Sequence, residues 1–108
     1  MSHYANYRKE RERAIVKEDK YGFVSAIEYG EYFYIDEVYV IPESRREGHA
    51  ERYNDLMIEE AKYRGFSKIL GSVDPKAKGS TNSIKLMLKL GYELYTTEND
   101  LIYLIKEI

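Results

Sequence analysis

The stretch Tyr34 to Ala50, YIDEVYVIPESRREGHA, gathers the residues of this 108-residue chain best suited to chemistry. An apolar run holding two consecutive acids, Asp36 and Glu37, passes through Pro42 into Arg45, Arg46 and Gly48, and helical spacing begins there. A helix start leaves N–H groups without intrahelical partners and carries partial positive charge, so such a junction can hold a phosphate. Gly48 lets the backbone approach an anion closely, and the two arginines add charge and paired donors. Taken alone, the same pattern also describes an ordinary strand–loop–helix junction.

Other chemistries find little support. The chain has no cysteine, which removes disulfides, thiolate metal sites and a cysteine nucleophile. His3 and His49 lie far apart, with no acidic partner at ligand spacing, so no metal is expected. No nucleophile-elbow pattern surrounds any serine, and KAKGS lacks the rest of a phosphate-binding Walker motif. Seventeen basic residues against nineteen acidic ones give a net charge of -2, without the basic surplus that nucleic-acid binding needs. No apolar run approaches the roughly 18 residues of a membrane span. A soluble, cytoplasmic, single domain over residues 1–108 is expected, with 44% hydrophobic residues to fill one core.

The elements that must position the junction follow from periodicity. Residues 1–13 are polar and charge-dense, which reads as a short exposed helix or, more simply, as a solvated mobile arm. Strands are expected at 14–16, 22–29 and 32–41, the last apolar on both parities, as in a strand covered on both faces. Pro42 ends it. A helix follows over 48–64, with Ala50, Tyr53, Met57 and Ala61 on one stripe and Gly65 as its stop. Lys68 to Val73 forms the next strand. Ser80 is placed as the N-cap of a helix over 81–90 that ends at Gly91, and strands at 92–97 and 101–106 close the chain. The order β-β-β-α-β-α-β-β implies a right-handed crossover between two parallel strands and a terminal hairpin.

At these residues the sequence resembles a family, the GCN5-related N-acetyltransferases (GNAT). Arg45-x-x-Gly48-x-Ala50 is similar to that family's R/Q-x-x-G-x-G/A loop, and Val38 to Pro42 is similar to the strand that precedes it. AKYRGF at 61–66 and LKLGY at 88–92 resemble the ends of the family's two later helices. The resemblance spans about residues 22–106. It implies an α/β (α+β) fold: a mixed, mainly antiparallel sheet with packed helices and a splayed central parallel pair.

It also implies acetyl-CoA as cosubstrate. Val38, Tyr39 and Val40 would pair with the pantetheine arm, and the amides from Arg45 through Arg46, Glu47, Gly48 and His49 to Ala50 would hold the pyrophosphate. Ser80 falls near a cofactor-contacting position of the family. Three departures stand out in the loop: Glu47 brings negative charge, His49 takes a usually apolar place, and Ala50 replaces the commoner glycine. A weaker affinity is expected from them.

Acetyl transfer to an amine needs a base, oxyanion stabilisation and an acid for the leaving thiolate. Asp36 or Glu37 is the expected base; strand alternation would send them to opposite faces, so only one would face the slot. The tyrosine that family members often carry four residues before the last-helix glycine is here Met87, and spacing supports none of Tyr53, Tyr92 or Tyr95 as its substitute. About thirty residues precede Tyr32, fewer than the family's acceptor-walling region. That shortage implies an open groove for a protein or peptide amine, or a second copy of the chain as the missing wall. The competing expectation is a catalytically degenerate member that holds CoA or binds a protein.

Overall fold

The computed structural model describes residues 3–108. Six strands form one sheet: β1 (Ile15–Asp19), β2 (Gly22–Tyr29), β3 (Tyr32–Val40), β4 (Lys68–Val73), β5 (Glu93–Glu98) and β6 (Leu101–Glu107). Their spatial order is β1-β2-β3-β4-β6-β5, and every neighbouring pair is antiparallel except β3 and β4. The mixed, mainly antiparallel sheet read from the sequence is the one observed. Among the described residues no helix is long and apolar enough to cross a membrane.

The chain opens on a helix, α1 (His3–Glu12), that lies beside β1. Residues 3–12 take the helical one of the two readings of this segment, while Met1 and Ser2 lie outside the described residues. Helix α2 (His49–Tyr63) and helix α3 (Ser80–Lys89) cover one face of the sheet. Tyr53, Met57 and Ala61 bury the α2 stripe against Val24, Phe33, Ile69 and Leu104. Ala50 stays half-exposed, and Asn54 is the residue that joins the buried stripe in its place.

Both helices end alike. Gly65 and Gly91 take left-handed φ of 87° and 94°, and the N–H groups beyond them return to the last turn: Phe66 to Ala61, Tyr92 to Met87. The glycine stops expected at these positions therefore close the helices as their sequence suggests. Gly71 in β4 leaves room for the Met87 methyl, which a Cβ there would strike. That contact seats α3 close to β4.

Two bulges shape the sheet. Ser25 pairs with Glu37 while Ala26 pairs with Ile35, so Asp36 is an extra residue in β3. In the same way Leu94 pairs with Leu104 and Thr96 with Tyr103, which leaves Tyr95 extra in β5. An extra residue bends its strand and re-aims the side chains around it.

Candidate functional site

Parallel pairing between β3 and β4 covers only Phe33–Ile69, Tyr34–Leu70 and Ile35–Gly71. Beyond the bulge at Asp36, Val38, Tyr39 and Val40 pair with β2 alone, and on the other side Ser72 and Val73 pair with β6 alone. The two central strands thus part at Ile35 and Gly71, which gives the splayed pair expected of Tyr32–Ile41 and Lys68–Val73. Val38 shows the consequence. It shares a face with its partner Val24, which is 0% exposed under the helices, yet Val38 itself is 48% exposed.

Each parting strand runs into a helix, and both helices start at the same mouth. Gly48 before α2 and Gly79 before α3 each have φ of 84°, and neither helix has a side-chain cap. The first amides of two helices therefore face outward without side-chain partners, where partial positive charge collects. Ser80 is the first residue of α3 and not its N-cap, because Gly79 makes the turn; the Ser80 hydroxyl donates to the Pro75 carbonyl at 3.1 Å. Lys76 and Lys78 stand in the loop just before it, shaped by Asp74 accepting from the Lys76 N–H at 2.9 Å.

The loop before α2 begins with a single 3-10 turn, Pro42–Ser44. Arg45 folds back on the strand: its Nε donates to the Val40 carbonyl at 2.9 Å, and the guanidinium lies 5.8 Å from the centre of the Tyr39 ring. Arg46 is exposed at a left-handed φ of 65°, followed by Glu47 and the turn at Gly48. A Cβ at Gly48 would meet no atom, so the glycine serves backbone conformation and leaves the surface clear. His49 stacks on Tyr21 with ring centres 4.0 Å apart. Its Nδ1 lies 3.0 Å from Arg52, and its Nε2 3.9 Å from the Glu47 carboxylate. Its imidazole is thus engaged within the protein, and the Glu47 charge lies beside it. Ala50, one residue further, offers only its backbone.

Sequence reasoning missed the hub that holds this junction in place. Asp19, the last residue of β1, accepts from the Tyr21 N–H at 2.9 Å and the Tyr53 hydroxyl at 2.6 Å, and pairs with Arg52 at 2.8 Å. The Tyr53 hydrogen bond, more than any other contact, holds its carboxyl down to about 2. Burial, then Asp19, pushes Tyr53 up to about 12. An aspartate at a strand end gives no hint of helix partners so distant in sequence.

The acids in β3 do not follow the expected alternation. Glu37 pairs with Ser25 and so shares its face, the face away from α2 and α3. Asp36 Oδ1 accepts from the hydroxyl of that same Ser25 at 2.7 Å. The bulge brings the Asp36 carboxylate to the face that Ser25 and Glu37 share, and the opposite-faces reading is corrected.

The three tyrosines weighed for the thiolate acid are committed elsewhere. Tyr53 donates to Asp19, Tyr92 donates to Asn54 at 2.6 Å, and the Tyr95 hydroxyl meets that of Tyr32 at 3.1 Å. Asn54 brings a second unforeseen feature: its Nδ2 is buried on α2 with no hydrogen-bond partner among the described residues. Such an orphan donor carries a desolvation cost unless something accepts from it.

A strand pair parted between two uncapped helix starts is a ready ligand slot, since ligands of α/β sheets settle outside the carboxyl ends of parallel strands. The match to known proteins then decides the family. A model described as the acetyltransferase (GNAT) family matches residues 2–92. The chain belongs to the GNAT acetyltransferase family. This membership bears out the resemblance carried by the Arg45–Ala50 loop and the motifs around it.

Solved structures share the fold at low identity. A GNAT acetyltransferase from Elizabethkingia anophelis with acetyl-CoA bound is 16% identical with a TM-score of 0.77, covering 99% of this chain and 84% of its own. The ribosomal-protein-S18-alanine N-acetyltransferase from Escherichia coli is 17% identical with a TM-score of 0.75, covering 100% and 77%. PaiA N-acetyltransferase from Thermoplasma acidophilum in complex with coenzyme A is 14% identical with a TM-score of 0.73; 82% of this chain covers 54% of it, about half its length. No curated protein matches by sequence.

Proposed function

We propose that this GNAT protein moves an acetyl group from acetyl-CoA to a primary amine of a protein or peptide by direct transfer. The observation that carries the reading is the parting of β3 and β4 at Ile35 and Gly71 between the two uncapped helix starts. Structures of GNAT relatives hold CoA or acetyl-CoA, which supports the same ligand here.

The residues present suit it. The amides from Arg45 through Arg46, Glu47, Gly48 and His49 to Ala50 hold the pyrophosphate, with Arg46 and the outer amino groups of Arg45 adding charge. The edge of β3 at Val38, Tyr39 and Val40 takes the amides of the pantetheine arm. Asn54 Nδ2 gains an acceptor, and Ser80 with Lys76 and Lys78 flanks the second rim. Acetyl-CoA supplies the thioester carbon. Glu37 takes one proton from the ammonium and frees the lone pair that attacks the thioester carbon, while Asp36, tied to Ser25, fixes the bulge. As the C–S bond then breaks, the second proton of the attacking nitrogen passes through water at the mouth to the leaving sulfur, since Met87 has no proton to give.

A protein or peptide acceptor fits a far face whose tyrosines remain exposed at their rims, Tyr29 at 62% and Tyr95 at 52%. A relative named for acetylating a ribosomal-protein alanine supports a macromolecular acceptor as well. A homodimer would wall the same face with a second copy, and light scattering of the purified chain reads that directly. One observation favours a second reading, a noncatalytic module that keeps CoA or binds a protein: the family's usual tyrosine position is filled by Met87, packed over Gly71. Mass spectrometry of lysine and N-terminal peptides incubated with acetyl-CoA tests the choice. Acetylated peptide with matching thiol release supports transfer; acetyl-CoA binding without either would establish the module.

A further inference from the structure

The face of the sheet away from α2 and α3 carries a cavity of about 340 Å³ lined by Tyr29, Tyr32, Tyr34, Tyr95, Tyr103 and Glu98. The bulge at Tyr95 helps make it, because the extra residue swings its ring over to Tyr32, centres 6.1 Å apart, and joins the hydroxyls at 3.1 Å. Tyr34 and Tyr103 form the other wall, with ring centres 6.2 Å apart. The inner end reaches the divergence of the central strands, since the Tyr34 hydroxyl meets Ser72 Oγ at 2.6 Å, one residue past the last paired Gly71. Tyr34 and Glu37 share this face, as their partners Ile27 and Ser25 are two residues apart on β2.

The chemistry of this trough is specific. Tyrosine faces carry negative electrostatic potential and attract cations. Burial raises the Tyr103 hydroxyl, and the bond to Tyr95 raises Tyr32, so these two hydroxyls hold their protons more firmly than an ordinary phenol. Glu98 is exposed at the trough and has no ion pair among the described residues. Among the described residues no basic side chain lines it. Such a lining offers an apolar channel for an aliphatic stem, with a carboxylate for positive charge.

We propose that the trough selects the acceptor: a basic peptide segment whose lysine stem lies along the tyrosine rings while a neighbouring Lys or Arg sits against Glu98. This specificity rests on the acetyl-transfer reading above. A peptide, and not a small free amine, suits a trough whose rim tyrosines are more than half exposed. The free amine would leave those rings uncovered.

Two measurements separate this inference from the reading beneath it. The first is calorimetric binding of two lysine peptides in the presence of CoA, one with a flanking arginine and one with glutamate there, to the protein and to Glu98→Gln. The second is the ratio of kcat/KM for the same peptides. Unaltered protein should favour the arginine peptide roughly 3- to 10-fold in both, a preference that falls toward parity in Glu98→Gln and in 1 M salt. Tyr95→Ala should weaken the arginine peptide too, and Glu98→Gln removes a surface charge without disturbing the fold. Equal binding of both peptides by the unaltered protein, a preference indifferent to Glu98, or faster acetylation of free butylamine than of either peptide overturns the inference. A Glu98-dependent preference in binding without any acetyl transfer would leave the trough standing and remove the transfer reading.

Discussion

Tyr34 and Ser72 bring their hydroxyls to 2.6 Å across the point where β3 and β4 stop pairing. One bond past the ladder, side chains take over from backbone in joining the two strands. The tie limits how far the split can run toward the core, and so sets the depth of the slot.

That tie can be measured. Tyr34→Phe and Ser72→Ala should each cost about 1 kcal/mol, and the double variant little more than either alone, since both remove the same bond. Denaturant unfolding of the three variants checks it. Fully additive losses would mean the two hydroxyls act independently.

Gly22 governs the other side of the site strand. A Cβ there would strike the Tyr39 carbonyl oxygen and lie 2.8 Å from the Tyr39 carbonyl carbon and 2.9 Å from Val40 Cα, all rigid backbone. Gly22→Ala should therefore cost about 2 kcal/mol or more and disturb the edge at Val38–Val40. Gly30, in the hairpin at a φ of 57° with open space around it, should cost only about 1 kcal/mol as alanine, from backbone strain alone. Equal thermal or chemical midpoints for the two variants would contradict the close approach.

The paired acids should separate by role. Glu37→Gln is expected to lower kcat by about 100-fold with acetyl-CoA affinity intact, the range of a lost general base. Asp36→Asn keeps an oxygen for the Ser25 hydroxyl and should lower kcat by less than about tenfold. Steady-state rates beside calorimetric affinities decide it; rates equal to the unaltered protein in both variants would remove the base from this strand.

Asp19 should make the α2 junction acid-sensitive. Its folded-state value near 2 lies below its ordinary 3.8, so the stabilisation is complete above the ordinary value and is lost as pH falls through about 2. Its side chain is 35% exposed, and solvent screening limits the effect to about 1 kcal/mol. Melts of the protein and Asp19→Asn should differ most near neutral pH and converge near pH 2. A gap that stays constant over that range would show that the carboxylate charge contributes nothing.

Much of the fold was legible in the sequence because its signals are local. The aromatic and β-branched run from Tyr32, the stop at Pro42, the spacing of Tyr53, Met57 and Ala61, and the glycines at 65 and 91 each report on their own neighbourhood. The loop from Arg45 to Ala50 was legible for the same reason. The bulges at Asp36 and Tyr95 were not, since a bulge belongs to the pairing of two strands and leaves no mark in either alone. Helix α1 has no clear apolar stripe in its sequence, so its residues read equally well as a tail. The Asp19 hub and the orphan amide of Asn54 depend on partners brought together only by folding.

Acetyl-CoA is expected to enter between β3 and β4. At 12.8 kDa the protein suits an amide-resolved NMR titration with acetyl-CoA. Saturable shifts should concentrate at Val38–Val40, Gly48–Glu51 and the start of α3, with the Asn54 side-chain amide among them. No saturable shift up to millimolar ligand, or shifts confined to surfaces away from those residues, would contradict it.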